Sequence, residues 1–159
     1  MADEKQEQNE KHLSIAKIYI KDFSFESPLS PKVFRTKDWS PQTNLNLRSS
    51  HADIEENLHE VILTITVDAK DGDQTVFLVE LQQAGLFEIV GYSKDELGAI
   101  VGSFCPNMLF PYAREAISGA IQKGGFPEFV LQPINFDALY LQAQQQKAAA
   151  AEVPPAETH

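Results

Sequence analysis

The chain has 159 residues, with 23 acidic and 13 basic side chains, a net charge of −10 and an isoelectric point near 4.8. Because nucleic acids and anionic membrane surfaces are bound by clustered Lys and Arg, this charge disfavours both as partners. The single cysteine, Cys105, excludes an intrachain disulfide framework and fits a reducing compartment.

Residues 1–11 are charged and Gln-rich, and we predict that they form a disordered tail. They lack the apolar stretch of a signal peptide. No apolar run in the chain approaches the ~20 residues that a membrane-spanning helix requires. The sequence therefore predicts a cytoplasmic protein that does not insert into a membrane.

Residues 13–25 alternate in polarity and are predicted to form a strand. One face would carry Leu13, Ile15, Tyr19, Phe23 and Phe25, and the other Ser14, Ala16, Ile18, Ile20, Asp22, Ser24 and Glu26. The second face begins apolar and ends acidic, so we expect it to be partly covered and partly solvated.

A long crossing loop is predicted over residues 27–42, because three prolines interrupt regular structure there. Loops of this length are uncommon in compact domains and are often functional. This one carries Val33, Phe34 and Trp39, whose apolar side chains must pack. They are predicted to form the wall of a groove.

Three further strands are predicted over residues 43–47, 60–68 and 75–83. A polar turn over 51–57 and a hairpin turn at Lys70-Asp71-Gly72-Asp73 would connect them. Leu45 and Leu47 would point inward. Four strands with one long crossing loop predict an antiparallel sheet with a Greek-key-like order.

A short helix and two main helices are predicted next. Ser93-Lys94-Asp95-Glu96 fits a capping box, and the short helix would end near Cys105, because Pro106 restricts the residue before it. The main helix would then run to Gly124-Gly125, and the final helix over 136–147. Apolar residues repeat at helical spacing in the main helix: Leu109, Tyr112, Ala113, Ala116, Ile117, Ala120 and Ile121.

This order of elements predicts an α+β fold with one domain over residues 12–147 and a disordered tail over 148–159. Two helices alone cannot cover a small sheet that is apolar on both faces. The surplus apolar surface predicts an oligomer.

The sequence gives little support for catalysis. Cys105 precedes a helix N-terminus, which could lower its pKa, but a nucleophile also needs a neighbouring base. The acidic segment around His51 and His59 lacks zinc-ligand spacing, and no phosphate-binding loop or dinucleotide fingerprint occurs. We predict no metal, no cofactor and no enzyme. The alternatives are a cysteine or metal hydrolase, and a structural adaptor without a groove.

Three carboxylates and one leucine are predicted on an outward sheet face. By alternation, Asp22 and Glu26 share one face of the first strand, and Leu78 and Glu80 share one face of the fourth. These side chains suit either a routine solvated face or the docking of a basic, partly apolar partner.

Six separated motifs occur in order along residues 13–147. They are Ile18-Tyr19 with Lys21-Asp22, Ser24-Phe25-Glu26 with Pro28, Lys37-Asp38-Trp39, Gln82-Gln83-Ala84-Gly85 with Phe87, Cys105-Pro106-Asn107 through Glu115, and Asn135-Phe136-Asp137-Ala138-Leu139. In this combination the chain resembles the bacterial protein-export chaperone family SecB. The resemblance implies an ATP-independent holdase that keeps unfolded secretory precursors translocation-competent and delivers them to the SecA ATPase.

The same resemblance implies an assembly and two binding surfaces. Two protomers would extend their sheets into one, and two such dimers would stack as a homotetramer through Leu109, Tyr112, Ala113, Ala116, Ile117 and Ala120. Unfolded chain would lie in a groove lined by Val33, Phe34, Trp39, Leu45, Leu47, Phe126 and Leu131. The basic, zinc-containing C-terminal segment of SecA would dock on Asp22, Glu26, Leu78 and Glu80, and the zinc belongs to that partner.

Overall fold

The protein is described by a computed structural model that covers residues 10–36, 38 and 40–152. Its strands are β1 (His12–Glu26), β2 (Gln42–Glu55), β3 (Leu58–Asp71) and β4 (Gln74–Val90); its α-helices are α1 (Lys94–Ala99), α2 (Cys105–Lys123) and α3 (Phe136–Glu152). The sheet order is β1-β4-β3-β2, and all neighbours are antiparallel. Consecutive hairpins join β2, β3 and β4, and β1 lies beside β4, which confirms the predicted α+β fold and strand order.

The strands are longer than the hydrophobic pattern predicts. β2 continues through residues 51–55, where a polar turn was predicted, and only Glu56 and Asn57 connect it to β3. β4 likewise continues from Gln83 to Val90. The prediction failed for β2 because the strand lies at the sheet edge, where most of its side chains are exposed and can be polar. The hairpin turn before β4 is confirmed, with Gly72 at a φ of 59°.

β1 contains two bulges that change which side chains face the core. Its register against β4 shifts around Ala16 and around Lys21, each of which is an extra residue in the ladder. Opposite the core-facing positions of β4 therefore lie Leu13, Ile15, Ile18, Ile20, Phe23 and Phe25. The predicted faces were wrong for Tyr19, which lies on the outward face, and for Ile18 and Ile20, which lie on the core face. One extra residue moves all following side chains to the opposite face, so strict alternation fails here.

The core lies between one face of the sheet and the C-terminal helices. Its fully buried members include Val61, Leu63, Ile65 and Val67 of β3, Val79 and Phe87 of β4, and Leu109, Ala113, Ile117 and Ile121 of α2. This part of the predicted α2 stripe therefore covers the chain's own sheet. It does not provide the free apolar surface from which an oligomer was predicted, because periodicity reveals an apolar face but not its partner.

The helices begin as predicted but are joined differently. The Ser93 hydroxyl accepts a hydrogen bond of 3.2 Å from the Glu96 amide and so caps α1. No break follows at Cys105, because a π-helical segment, Ile100–Phe104, joins α1 to α2. The stop of α2 before Gly124 is confirmed. The helix α3 extends five residues beyond its predicted end at Lys147, through the Ala-rich segment 148–152.

The contact between α3 and the π-helical segment depends on a residue without a side chain. A Cβ atom on Gly102 would lie 2.5 and 2.7 Å from Cδ2 and Cε2 of the Tyr140 ring. We expect Gly102→Ala to displace Tyr140 and to loosen α3, measured as faster amide hydrogen exchange over residues 136–147.

Gly119→Ala is the matched control for this change. Gly119 also lies in a helix, but its added Cβ would meet only Glu115 Oε1, at an ordinary 3.8 Å. The control should stabilise α2 by roughly 0.5–1 kcal/mol, because Ala is the better helix former. Unchanged exchange in α3 of the Gly102→Ala protein would contradict the prediction.

Candidate binding surfaces

Four phenylalanines from distant parts of the chain form an aromatic cluster: Phe25, Phe34, Phe77 and Phe126. Ring centroids are 5.4 Å apart for Phe34 and Phe126, 5.0 Å for Phe77 and Phe126, and 6.3 Å for Phe25 and Phe77. These spacings are those of favourable aromatic pairs. Phe126 is buried within the cluster, whereas Phe34 is 50% exposed and forms its outer surface.

Local structure on both sides of the aromatic cluster explains its geometry. A single turn of 3-10 helix, Lys32–Arg35, presents Phe34 from the crossing loop and is held by the 3.0 Å hydrogen bond from the Val33 amide to the Leu29 carbonyl. On the other side, a Cβ on Gly124 would lie 2.2 Å from the Phe25 ring, and one on Gly125 would lie 3.0 Å from the Phe34 ring. The two glycines therefore leave the space that these rings occupy.

The other predicted groove residues have different environments. Leu45 and Leu47 share the core-side face of β2, opposite Val67 and Ile65, and Leu45 is 47% exposed. Val33 and Leu47 are partly buried against the core. Leu131 and Phe126 are buried, so in this conformation they do not form open surface. Trp39 lies outside the described residues.

A cavity of about 430 Å³ lies between β2 and α3 and continues the surface that begins at Leu47. Its apolar lining includes Val101, Phe136, Leu139 and Tyr140. Sequence reasoning did not assign Leu139 and Tyr140 to a groove. The available signal was the Asn135-to-Leu139 motif followed by Tyr140, which placed apolar side chains in the last helix.

The predicted acidic surface, formed by Asp22, Glu26, Leu78 and Glu80, is brought together by the pairing of β1 with β4. Glu26 lies opposite Leu78, and Glu80 lies opposite Ser24, on the sheet face that points away from α2. All three carboxylates are exposed and Leu78 is half-buried. Asp68 of β3 lies on the other side of Leu78 and was missed, because only the strand pairing reveals it. Three or more carboxylates around an apolar side chain can bind a basic, partly apolar segment.

A second groove separates β1 from α2. It has a volume of about 580 Å³ and is lined by side chains that include Ile20, Phe23, Ala116 and Ala120. Ile20 and Phe23 are exposed although they lie on the core side of the sheet, because this groove separates them from α2. Of the predicted interface residues, Tyr112 is 52% exposed, and Ala116 and Ala120 are partly buried.

The two features considered for catalysis, the segment around His51 and His59 and the cysteine Cys105, have structural environments. His59 is buried, and its Nδ1 lies 2.7 Å from Oδ1 of Asp53 across the β2–β3 pair. Within residues 10–36, 38 and 40–152, no three His, Cys, Asp or Glu side chains are grouped so that they could hold a metal ion.

None of the described helices combines the length and the apolar character that crossing a membrane requires.

Cys105 is fully buried, and this burial raises the pKa of its thiol to about 12. Because the thiolate is the reactive form, we expect the native protein at pH 8 to react with a thiol reagent at least about a thousandfold more slowly than free cysteine. The rate should rise with pH and should become fast in denaturant. Rapid labelling of the native protein at pH 8 would contradict this prediction and would support a reactive cysteine.

Comparison with known proteins gives one consistent result. The family model Preprotein translocase subunit SecB matches residues 6–147. Protein-export protein SecB of Nitrosococcus oceani is 54% identical over 143 residues, or 88% of this chain and 87% of that protein. The protein of the same name from Marinobacter nauticus is 49% identical over 154 residues, or 96% of this chain and 93% of that protein.

A solved structure shares the fold. The SecB-like chaperone of Mycobacterium tuberculosis, in complex with a peptide from the HigA1 antitoxin, has a TM-score of 0.63 at 16% identity. The match covers 77% of this chain and 90% of that one, and at this identity it supports the fold alone. Together with the family match over residues 6–147, these findings confirm the resemblance: the chain belongs to the SecB family, whose members are protein-export chaperones and not enzymes.

Proposed function

We propose that this protein is a cytoplasmic, ATP-independent holdase that binds unfolded secretory precursors, keeps them translocation-competent and delivers them to SecA. The proposal is carried by exposed apolar side chains: Phe34 is half-exposed at the surface of the aromatic cluster, and Leu45 is half-exposed on the edge strand β2. Large apolar side chains left open beside an unpaired strand edge favour an extended, partly apolar ligand. The complex of the Mycobacterium tuberculosis SecB-like chaperone with a peptide supports this class of ligand.

Binding would combine apolar burial with backbone contact. Phe34 and Leu45 would bury client side chains, each large side chain contributing roughly 1.5–3 kcal/mol if it becomes fully buried. The outer edge of β2 has backbone groups available to an extended client, since among the described residues β3 is its only strand neighbour and lies on the other side. A chaperone that binds only the unfolded form of its client stabilises that form by mass action, so it needs no catalytic residue.

The predicted groove includes two residues that the chain buries in this conformation, Phe126 and Leu131. We propose that a client reaches them when the loop between α2 and α3, residues 124–135, moves outward. Phe34 and Leu45 would then make the first contact, and Phe126 and Leu131 would enlarge the groove afterwards.

The proposed assembly is a homotetramer formed as a dimer of dimers. No strand of the described chain pairs with the outer edge of β1, and Ile20 and Phe23 are exposed on this strand, which supports extension of the sheet into a second protomer. The face of α2 that carries Tyr112, Ala116 and Ala120 is the remaining part of the predicted helix interface. Light scattering should give four times the 17.7 kDa chain mass, and a stable monomer would contradict this assembly.

The test of client binding is suppression of aggregation of a slow-folding secretory precursor. We expect the wild type to suppress aggregation and Leu45→Asp to do so much less, because the change places a charge in the groove. Ile54→Asp is the matched control, since Ile54 is similarly exposed but lies near the C-terminal end of β2, away from Leu45. Client binding should also change the fluorescence of Trp39, the only tryptophan.

Three outcomes would each contradict a part of the proposal. No suppression by the wild type would favour the structural adaptor without a groove. Equal loss in Leu45→Asp and Ile54→Asp would show that the groove has been placed wrongly. Unchanged Trp39 emission at saturating client would remove that residue from the groove.

A further inference from the structure

A polar network on the outward sheet face joins β1 to β3 across β4. The Tyr19 hydroxyl donates a hydrogen bond to Glu60 Oε2, and Lys21 Nζ lies 2.8 Å from Glu60 Oε1 in an ion pair. The Glu60 side chain is only 13% exposed, and that of Lys21 is 44% exposed. The residue of β4 that is paired with Tyr19 is Ala84. Its small side chain leaves room for these contacts between β1 and β3.

At neutral pH, Glu60 and Tyr19 are in the protonation states that this network requires. Hydrogen bonds from Lys21 and from Tyr19 lower the pKa of Glu60, so its carboxylate is ionised. Burial, together with the hydrogen bond to Glu60, raises the pKa of Tyr19 to about 12, so its hydroxyl remains a donor. Glu60 is the common acceptor for two groups of β1.

The network holds β1 at the point where the strand changes face. Lys21 is the extra residue of the second bulge, and Asp22 follows it directly. Beyond this bulge, Asp22 lies opposite Gln82 and Glu26 lies opposite Leu78, on the outward face. If Lys21 took a regular place in the ladder instead of forming a bulge, both carboxylates would be on the core face, because a bulge redirects all the side chains that follow it.

We propose that Glu60 is a positioning residue for the acidic surface. By holding Lys21 and Tyr19, it fixes the bulge and therefore the outward direction of Asp22 and Glu26. It also holds the Lys21 ammonium away from Asp22, its neighbour in sequence. This inference rests on the proposed docking of a basic partner, SecA, on the acidic surface.

The test measures the affinity of the full-length protein for SecA and, in parallel, its client holding. Lys21→Met removes a positive charge, so charge alone predicts tighter binding of a basic partner. Loss of the positioning contact predicts the opposite, binding up to about fivefold weaker, the upper limit for a partly exposed ion pair. The two explanations therefore differ in sign.

Lys17→Met is the matched control. Lys17 is also exposed on the outward face of β1, and it forms no ion pair with any residue that the structure describes. Its loss should leave SecA binding unchanged or slightly tighter. Lys21→Arg keeps a cation that can pair with Glu60, so it should bind as the wild type does.

Binding by Lys21→Met as tight as that by Lys17→Met, or tighter, would overturn the proposal. If Lys21→Met also loses client holding, the fold has been damaged and Tyr19→Phe decides, because it removes one hydroxyl and no charge. Tyr19→Phe should weaken SecA binding about twofold, and unchanged binding would overturn the proposal. Failure of the wild type to bind SecA would overturn the docking itself, whereas failure of the Lys21 and Tyr19 tests alone leaves the docking intact.

Discussion

Replacing Glu80 by Lys is expected to weaken SecA binding by about tenfold or more, because a reversed charge at the centre of the acidic surface repels a basic partner. Glu80 is exposed on β4, two residues from Leu78 on the same outward face. The wild-type interaction should itself weaken with added salt, since screening acts over ~10 Å at 0.1 M. Isothermal titration of wild type and variant at two salt concentrations measures both effects.

Glu88→Lys is the matched control for this charge reversal. Glu88 is also exposed on the outward face of β4, but it lies eight residues beyond Glu80, roughly 26 Å along the strand. It should affect SecA binding much less. Aggregation suppression should survive in both variants, because the groove uses other residues. Equal loss of SecA binding and client holding in Glu80→Lys, or loss of neither, would refute the separation of the two surfaces.

The two faces of α2 should give different defects. Ile117 is fully buried against the sheet, so Ile117→Ala should lower the free energy of unfolding by about 2–5 kcal/mol through the cavity it leaves. Tyr112 is half-exposed on the other side, so Tyr112→Arg should leave the protomer core intact and dissociate the proposed tetramer. Urea unfolding at fixed protein concentration measures the first effect, and sedimentation velocity measures the second.

Ala116 lies between these two environments and is partly buried. Ala116→Ser, a small change at that position, serves as a control and should alter both measurements less than either variant. A tetramer that persists in Tyr112→Arg would contradict the proposed role of this helix face. A folded protomer of unchanged stability in Ile117→Ala would contradict the packing of α2 on its own sheet.

The sequence pattern predicted the order of the elements because each carries its own periodicity and turn residues. Gly72 in the hairpin turn and Ser93 at the helix start are local signals that need no knowledge of the partner. The faces of β1 were predicted less well, because the bulges at Ala16 and Lys21 are visible only in its pairing with β4. The end of β2 was missed because an edge strand can be polar on most of its surface.

The candidate surfaces were predicted unequally for a related reason. Asp22, Glu26, Leu78 and Glu80 come together because two adjacent strands present them on one face, which alternation can predict over a few residues. The groove depends on loops, and the sequence of a loop has no regular periodicity from which its packing could be predicted. Sequence reasoning therefore grouped Phe34 with Phe126 but did not predict that Phe126 and Leu131 would be buried by the chain itself.

The position of β1 at the sheet edge has a consequence for how the chain is made. β1 is synthesised first, yet its partner within the described chain is β4, which is the last strand. At ~5–20 residues per second, a ribosome needs roughly 4–16 s to make the ~80 residues between His12 and its partner Val90. The β2–β3–β4 meander has much shorter loops to close and should form before β1 can join it. Until then β1 is itself an unpaired, apolar segment of a nascent chain, the kind of segment that the proposed groove would hold.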